Sequence, residues 1–328
     1  MLARRLTLRL DGISVGTTPM LVPSISSRVN IDIAKTIEVV SETITGPSLI
    51  SAYDIHYIRD LPSLSKSTLT FIDSGGYECA KEHEVSEIGL YRPESHEWNR
   101  ELHLETIRKL DTAPTKVIIS YDHPRERTPL DTQIKDARAL FKERNDILKE
   151  FLIKPELNGH NRIDIRHVIL NLDSLSPFDI IGFTEKELGP SVFDRMIAIA
   201  RIRNEMDENR LNIPIHIFGS LDPITTPLYY LSGADIFDGL AWLRFIFARN
   251  STLYIESSGP SIEGIHVNMD QIWAMSIAKN YNFIRRLSMD FEKYQSTGDY
   301  QCLGPNHEFY RKSYEDLLVN IGGEIDGK

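Results

Sequence analysis

Short apolar runs, rich in β-branched residues and each closed by a polar residue or glycine, recur along the chain with room for helices between most of them. Eight such runs stand out: PMLVPSI (19–25), SLISAYD (48–54), TLTFID (68–73), KVIISYD (116–122), RHVILNL (166–172), FDIIGF (178–183), PIHIFGS (214–220) and ADIFDGLAW (234–242). A run that is apolar at consecutive positions, instead of alternating, marks a strand buried on both faces, as in a parallel sheet. Two of the intervening segments, LDTQIKDARALFKERNDILKEFL (130–152) and GPSVFDRMIAIARIRNEMDENR (189–210), carry their apolar residues at helical spacing. Alternation of strands and helices predicts the α/β class, and eight parallel strands predict a closed (β/α)8 TIM barrel over an open sheet. One connection conflicts with this pattern. Between Leu172 and Phe178 the chain is too short for a helical crossover of about a dozen residues, so either that helix is missing or one strand is misassigned.

The pattern lapses in two places. Residues 77–115 are long and polar and are expected to form an insertion over the barrel mouth; from 260 to 328 the chain turns helical, with MDQIWAMSIAKNYNFIRRLSMDFEKYQ (269–295) as its clearest stretch. No internal repeat interrupts the 328 residues, which are read as a single barrel domain with a helical C-terminal part. The opening MLARRLTLRLDG alternates apolar and charged positions, which fits an edge strand better than a signal peptide. It is read as retained, and the protein as cytoplasmic. Since 41% of residues are hydrophobic and no apolar run reaches bilayer length, a large core and no membrane span are expected.

Charge and cysteine usage narrow the chemistry. A formal net charge of −10 gives no global basic field for non-specific nucleic-acid binding. The two cysteines, Cys79 and Cys302, are too few for a disulfide framework or a multi-cysteine zinc cluster, and His83, His96, His103 and His216 have no metal-ligand spacing. No metal or cofactor is expected. Functional residues of α/β barrels sit at the carboxyl ends of strands. Asp54, Asp73, Asp122 and Asp238 fall at or near such ends, with Asn171 and Asp173 closing the fifth run. Any single aspartate there is by default a turn or cap residue. Four together fit a nucleophile, a general acid or base, and an acceptor for the N–H groups of a purine-like base.

Two segments carry a family resemblance. FIDSGGYE (71–78) resembles the Asp-Ser-Gly-Gly-Phe/Tyr-Gln motif of tRNA-guanine transglycosylases, and IPIHIFGSLDPITTPLYYLSGADIFDGLAWLR (213–244) resembles their second hallmark block. GTTPMLVPSIS (16–26) and ISYDHP (119–124) are weaker likenesses, in the same order along the chain. The resemblance implies that Asp238 is the nucleophile attacking the ribose anomeric carbon, and that Asp73 is the general acid/base. It places Ser74, Gly75, Gly76 and Tyr77 around the base, with the glycines allowing close backbone approach and Tyr77 stacking. It gives Asp122 the guanine-like edge and Phe218, backed by Gly219, a stacking role. Asn171 stands in for a family glutamine, and the backbone at Gly182 and Phe183 for a carbonyl-binding loop. The logic is that of a retaining glycosidase, with a base in place of water in the second step.

The chain departs from the family in lacking the Cys-x-Cys-x-x-Cys zinc site of the tRNA-binding part. The resemblance therefore implies a 7-deazaguanine, 7-cyano-7-deazaguanine foremost, exchanged into a nucleic-acid acceptor, with DNA ahead of tRNA. A different class of reading is a base-recognising component of a bacterial anti-phage defence system, acting with a protein partner. A tRNA-guanine transglycosylase and an unrelated small-molecule barrel enzyme complete the alternatives. Since enzymes of the family commonly dimerise, a homodimer is also an expectation.

Overall fold

The computed structural model describes all residues except 30–32, 42, 59–63, 65, 80–95, 112, 124, 143, 249–250 and 326–328. The opening segment forms a two-stranded sheet of β1 (Thr7–Leu10) and β2 (Ile13–Thr17). Eight strands then close a barrel: β3 (Met20–Ile25), β4 (Ser48–Ser51), β5 (Thr70–Asp73), β6 (Lys116–Ile119), β7 (Leu148–Ile153), β8 (Ile180–Thr184), β9 (Ile215–Phe218) and β10 (Ile236–Gly239). Neighbours follow chain order, and β10 pairs in parallel with β3, Asp238 opposite Val22. A further antiparallel pair, β11 (Phe245–Ala248) and β12 (Ser251–Tyr254), follows the barrel. Every residue of β3, β4, β6, β9 and β10 is buried, which is why their sequences read as unbroken apolar runs. The chain is α/β, and the barrel is of the TIM type.

The helices are α1 (Ile33–Ser41), α2 (Ala52–Tyr57), α3 (Gly76–Cys79), α4 (Arg100–Lys109), α5 (Leu130–Phe141), α6 (Ile165–Leu170), α7 (Leu172–Leu175), α8 (Val192–Glu208), α9 (Thr225–Leu231), α10 (Ala241–Arg244), α11 (Ile255–Glu263), α12 (Met269–Thr297) and α13 (His307–Ile325). Local chemistry fixes several ends. Ser191 and Asp194 form a reciprocal capping box at the start of α8, and Asn268 with Gln271 does the same for α12. Gly298, in the left-handed region at φ 69°, stops α12. Among the described residues no helix is long and apolar enough to cross a membrane.

One strand assignment is overturned, and the short connection located the error. RHVILNL is not a strand but α6 and α7, started by Asp164, whose carboxylate accepts from the backbone N–H groups of Arg166 and His167. An apolar run of this length does not distinguish strand from helix; the capping aspartate does. Leu170 is 81% exposed, which a strand buried on both faces would not allow. The missing strand is β7, hidden in the segment read as one helix over 130–152. There α5 ends at Phe141, and LKEFLI resumes as a strand with all but Lys149 buried. Of the expected insertion, residues 80–95 lie outside the described residues, and α4 belongs to the remainder.

The residues group into two compact units, one of residues 7–16 and 24–187, the other of 1–6, 17–23 and 188–328. In the second, Arg203 of α8 is fully buried and pairs with the equally buried Asp235. Its Nε donates to the Gly233 carbonyl at 2.9 Å and its Nη1 to that of Ile213 at 3.2 Å, while Asp235 accepts the Ile215 N–H at 2.8 Å. Burial pushes the Asp235 carboxyl up and the Arg203 guanidinium down, each against the other's attraction. Removing one partner strands a charge in the interior. Asp235→Ala is expected to cost about 3–5 kcal/mol in denaturant unfolding, whereas Asp207→Ala, at the exposed Arg4 pair, is expected to cost under about 1 kcal/mol.

Candidate functional site

In the first unit the site is built on the turn that follows β5. Asp73 closes the strand opposite Ser51 of β4, and the chain enters α3 through Ser74, Gly75 and Gly76. Gly75 has φ 85°, and a Cβ there would lie 2.7 Å from both Trp98 Nε1 and Tyr53 Cβ. A Cβ on Gly76 would lie 2.7 Å from Asp122 Oδ1. The close approach that the glycines permit is therefore to the protein's own groups: the Trp98 indole, which donates to the Ser74 carbonyl at 2.8 Å, and the Asp122 carboxylate.

Asp122 lies just beyond β6 and is tied to this turn. The Ser74 hydroxyl donates to its Oδ1, and Lys154 Nζ stands 3.7 Å from its Oδ2. Lys154 follows β7 directly and is shared: its ammonium is 2.7 Å from Glu187 and donates to Thr184 Oγ1 at 3.1 Å. Burial alone would lower the Lys154 pKa, but Glu187 and Asp122 outweigh it and hold the ammonium above its ordinary value. A cavity of about 270 Å³ is lined by Asp122, Tyr121, Arg127 and Lys154 among others, with Leu152 and Leu140 on its apolar side. A small, partly apolar hollow with an acceptor and a cation side by side suits a flat heterocycle bearing N–H and carbonyl groups.

A second cluster lies behind the Asp73 turn. Glu78 of α3 is 4% exposed and accepts from Ser26 Oγ at 2.5 Å, while its other oxygen has no hydrogen-bond partner. Asp54, 1% exposed on the first turn of α2, accepts the Ser27 N–H at 3.0 Å, and its second oxygen is likewise unsatisfied. Tyr77, expected to stack on a base, carries the Arg28 guanidinium 5.1 Å from its ring centroid.

In the second unit, Asp238 sits in β10 and accepts the Gly219 N–H at 3.0 Å, with His216 Nε2 3.4 Å from the same oxygen. Gly219 has φ 78° with open space where a Cβ would stand. Phe218 stacks on the His216 imidazole with centroids 4.0 Å apart, both residues belonging to β9. An aspartate so placed has a fixed orientation and is 6% exposed, which suits a nucleophile.

The remaining assignments divide. Gly182 and Phe183 are in β8, buried, opposite Leu152 and Ile153. Asn171 is corrected: it caps α6, where its side-chain amide donates to the His167 carbonyl at 2.8 Å, because the run that held it is helical and closes no strand. Sequence reading missed Lys154, Glu187, Trp98 and the role of Glu78, and it placed Asp54 at or near a strand end where the structure has it in the first turn of α2. Lys154 had a signal, a cation directly after an apolar run, obscured by the helical reading of that run. Among the described residues no group of three or more His, Cys, Asp or Glu could hold a metal ion. Compared with protein-family models and with curated proteins, the chain matches none.

Two stability measurements probe this architecture. Gly75→Ala combines a left-handed backbone with a steric overlap, whereas Gly219→Ala carries the backbone term alone, roughly 1–2 kcal/mol; denaturant unfolding is expected to show the larger loss at Gly75. His103 of α4 is fully buried with neither ring nitrogen hydrogen-bonded, and burial pushes its pKa from 6.5 down to about 4. The unfolded chain then binds the extra proton, so stability is lost as pH falls from 6.5 towards 4. His103→Leu is expected to flatten that part of the stability–pH curve, which amounts to roughly 3 kcal/mol at most.

Proposed function

We propose that the chain is a base-exchange glycosyltransferase that moves a 7-deazaguanine into a nucleic-acid acceptor. The observation that supports this reading most is the tie between Ser74 and Asp122: a carboxylate fit to read a guanine-like edge is fastened to the turn whose first residue, Asp73, is fit to move a proton. Asp122 accepts the ring N–H and exocyclic amino donors of the base, a contact that rejects bases lacking them. Lys154 supplies a donor for a carbonyl on the same edge.

The reaction runs in two displacements. The Asp238 carboxylate attacks the anomeric carbon, the glycosidic bond breaks, and its electron pair leaves with the departing base, which takes a proton from Asp73. A covalent aspartyl-glycosyl intermediate results. The incoming 7-deazaguanine gives its N–H proton to Asp73, its nitrogen attacks the same carbon, and Asp238 is released. Two inversions give net retention. DNA is the leading acceptor, and 7-cyano-7-deazaguanine the leading base.

The net charge of −10 favours a second reading, in which the pocket recognises a deazaguanine presented by or with a protein partner of a defence system. One experiment separates the two. Labelled 7-cyano-7-deazaguanine is offered with DNA, tRNA and co-expressed partner proteins, using the intact protein and Asp238→Asn. Label is expected to enter DNA and to fall by at least about a thousandfold in the variant, since loss of a nucleophile removes the covalent route. Tight base binding without transfer to any acceptor would replace the first reading by the second, and exchange that survives Asp238→Asn would reject the mechanism.

A further inference from the structure

Glu78 is the one carboxyl of the Asp73 turn that the proposed reaction leaves without a task, and its surroundings are unusual. From the segment after β3 it meets Ser26, whose hydroxyl donates to Oε1, with Arg28 nearby over Tyr77. From α2 it feels Asp54, from the end of β5 Asp73, and on α3 itself Cys79. Ser26 supplies one hydrogen bond, and neither Oε2 of Glu78 nor Oδ1 of Asp54 has a partner. The Arg28 guanidinium lies over the face of Tyr77, 5.1 Å from its centroid. An ionised carboxylate that is 4% exposed, beside two others and with one oxygen lacking any partner, is costly; a carboxylic acid there is far less so.

We infer that Glu78 is held as a neutral carboxylic acid and acts as a positioning residue for Asp73, so that its ionisation sets the alkaline limit of the site. This rests on the base-exchange reading for its functional part only. Burial first, then the charges of Asp54 and Asp73, push the Glu78 carboxyl well above its ordinary value, against the pull of the Ser26 hydroxyl and of its own backbone N–H. The neighbouring Cys79 thiol is pushed up to about 12 by burial, Asp122 and Glu78, which keeps it uncharged as well. With Glu78 neutral, Asp73 is the carboxylate of the turn that can gain and lose a proton during exchange. With Glu78 ionised, a third negative charge would stand against Asp54 and Asp73 and would favour protonation of Asp73, the state that cannot accept a proton from an incoming base.

The test uses stability first, because stability does not depend on base exchange. A carboxyl that holds its proton more tightly folded than unfolded stabilises the fold below the ordinary glutamate value of 4.5 and loses that contribution as pH rises through its folded-state value. Glu78→Gln keeps the shape and the neutrality. Its melting temperature is expected to match the parent's at the acid end and to exceed it increasingly as the pH rises. In an Asp73→Asn background the gap is expected to narrow, since part of the penalty is repulsion from Asp73. A gap that does not change with pH overturns the inference, and so does a parent more stable than Glu78→Gln on the alkaline side. An equal gap in both backgrounds removes Asp73 from it. Should Glu78→Gln fail to fold, Glu78→Leu, equally neutral and of similar size, is read in the same way. The second arm is the pH profile of labelled 7-cyano-7-deazaguanine exchange into the acceptor. The parent's rate is expected to fall about tenfold per pH unit once Glu78 ionises, and that of Glu78→Gln to hold. Identical profiles overturn the positioning role. A parent that exchanges no base at any pH, with the stability gap as expected, rejects the base-exchange reading and leaves the neutral acid standing.

Discussion

A carboxylate withdrawn from water needs a donor, a cation or a proton, and the acids of this chain are supplied with partners to different degrees. Asp235 has a cation, the Arg203 guanidinium, together with the Ile215 N–H. Asp238 has the Gly219 N–H and the edge of an imidazole. Asp122 has a serine hydroxyl and an ammonium that Glu187 shares. Glu78 has one hydroxyl on Oε1 and no hydrogen-bond partner on Oε2, which is the ground for reading it as a neutral acid. The same chemical group thus stands as a charge-paired structural anchor at Asp235, a carboxylate oriented by a backbone N–H at Asp238, one tied to a hydroxyl and an ammonium at Asp122, and a half-satisfied group at Glu78, according to what its neighbours supply.

The remedy in turn depends on backbone geometry. At the end of β5 the chain must turn sharply while leaving room for Trp98, Tyr53 and Asp122, and two adjacent glycines are what the sequence provides. With no side chain at positions 75 and 76, Ser74 reaches Asp122 and the indole reaches the Ser74 carbonyl. At the end of β9 the constraint is different. Gly219 has free space beside it and is there for its left-handed φ, which aims its N–H at Asp238. Two glycine turns therefore serve their carboxylates by different physics, one through packing and one through direction.

Much of the barrel was legible because burial on both faces erases alternation and leaves unbroken apolar strings. Seven of the eight runs are barrel strands, and the eighth failed for the same reason that the others succeeded: Val168, Ile169 and Leu170 are an apolar string in a helix. β7 was obscured from the other side. Glu150 is fully buried in it, and Lys149 precedes it, so the segment reads as an amphipathic continuation of α5. The carboxylates were legible because aspartate is uncommon within strands and stands out at their ends. Their partners were not. Trp98 reaches Ser74 across the sequence, and Glu187 reaches Lys154 only once β7 and β8 are aligned, Leu152 opposite Gly182.

The misassigned strand affected the site reading unevenly, and the pattern follows from what each residue depends on. Asp73 is identified by the strand it closes and Asp122 by the strand it follows, so an error elsewhere in the barrel leaves them in place. Asn171 depended on its own run being a strand, and it fell with that run to become a helix cap bonded to His167. Lys154 depended on a strand that had been read as helix, and it surfaced only when β7 did. A lysine on a helix face is ordinarily solvated. The same lysine directly after a buried parallel strand is carried to the carboxyl end of the barrel, where Asp122 and Glu187 keep it charged despite its burial. Secondary structure thus decides whether a cation counts as surface or as site, which is why a six-residue strand bears more on function here than its length suggests.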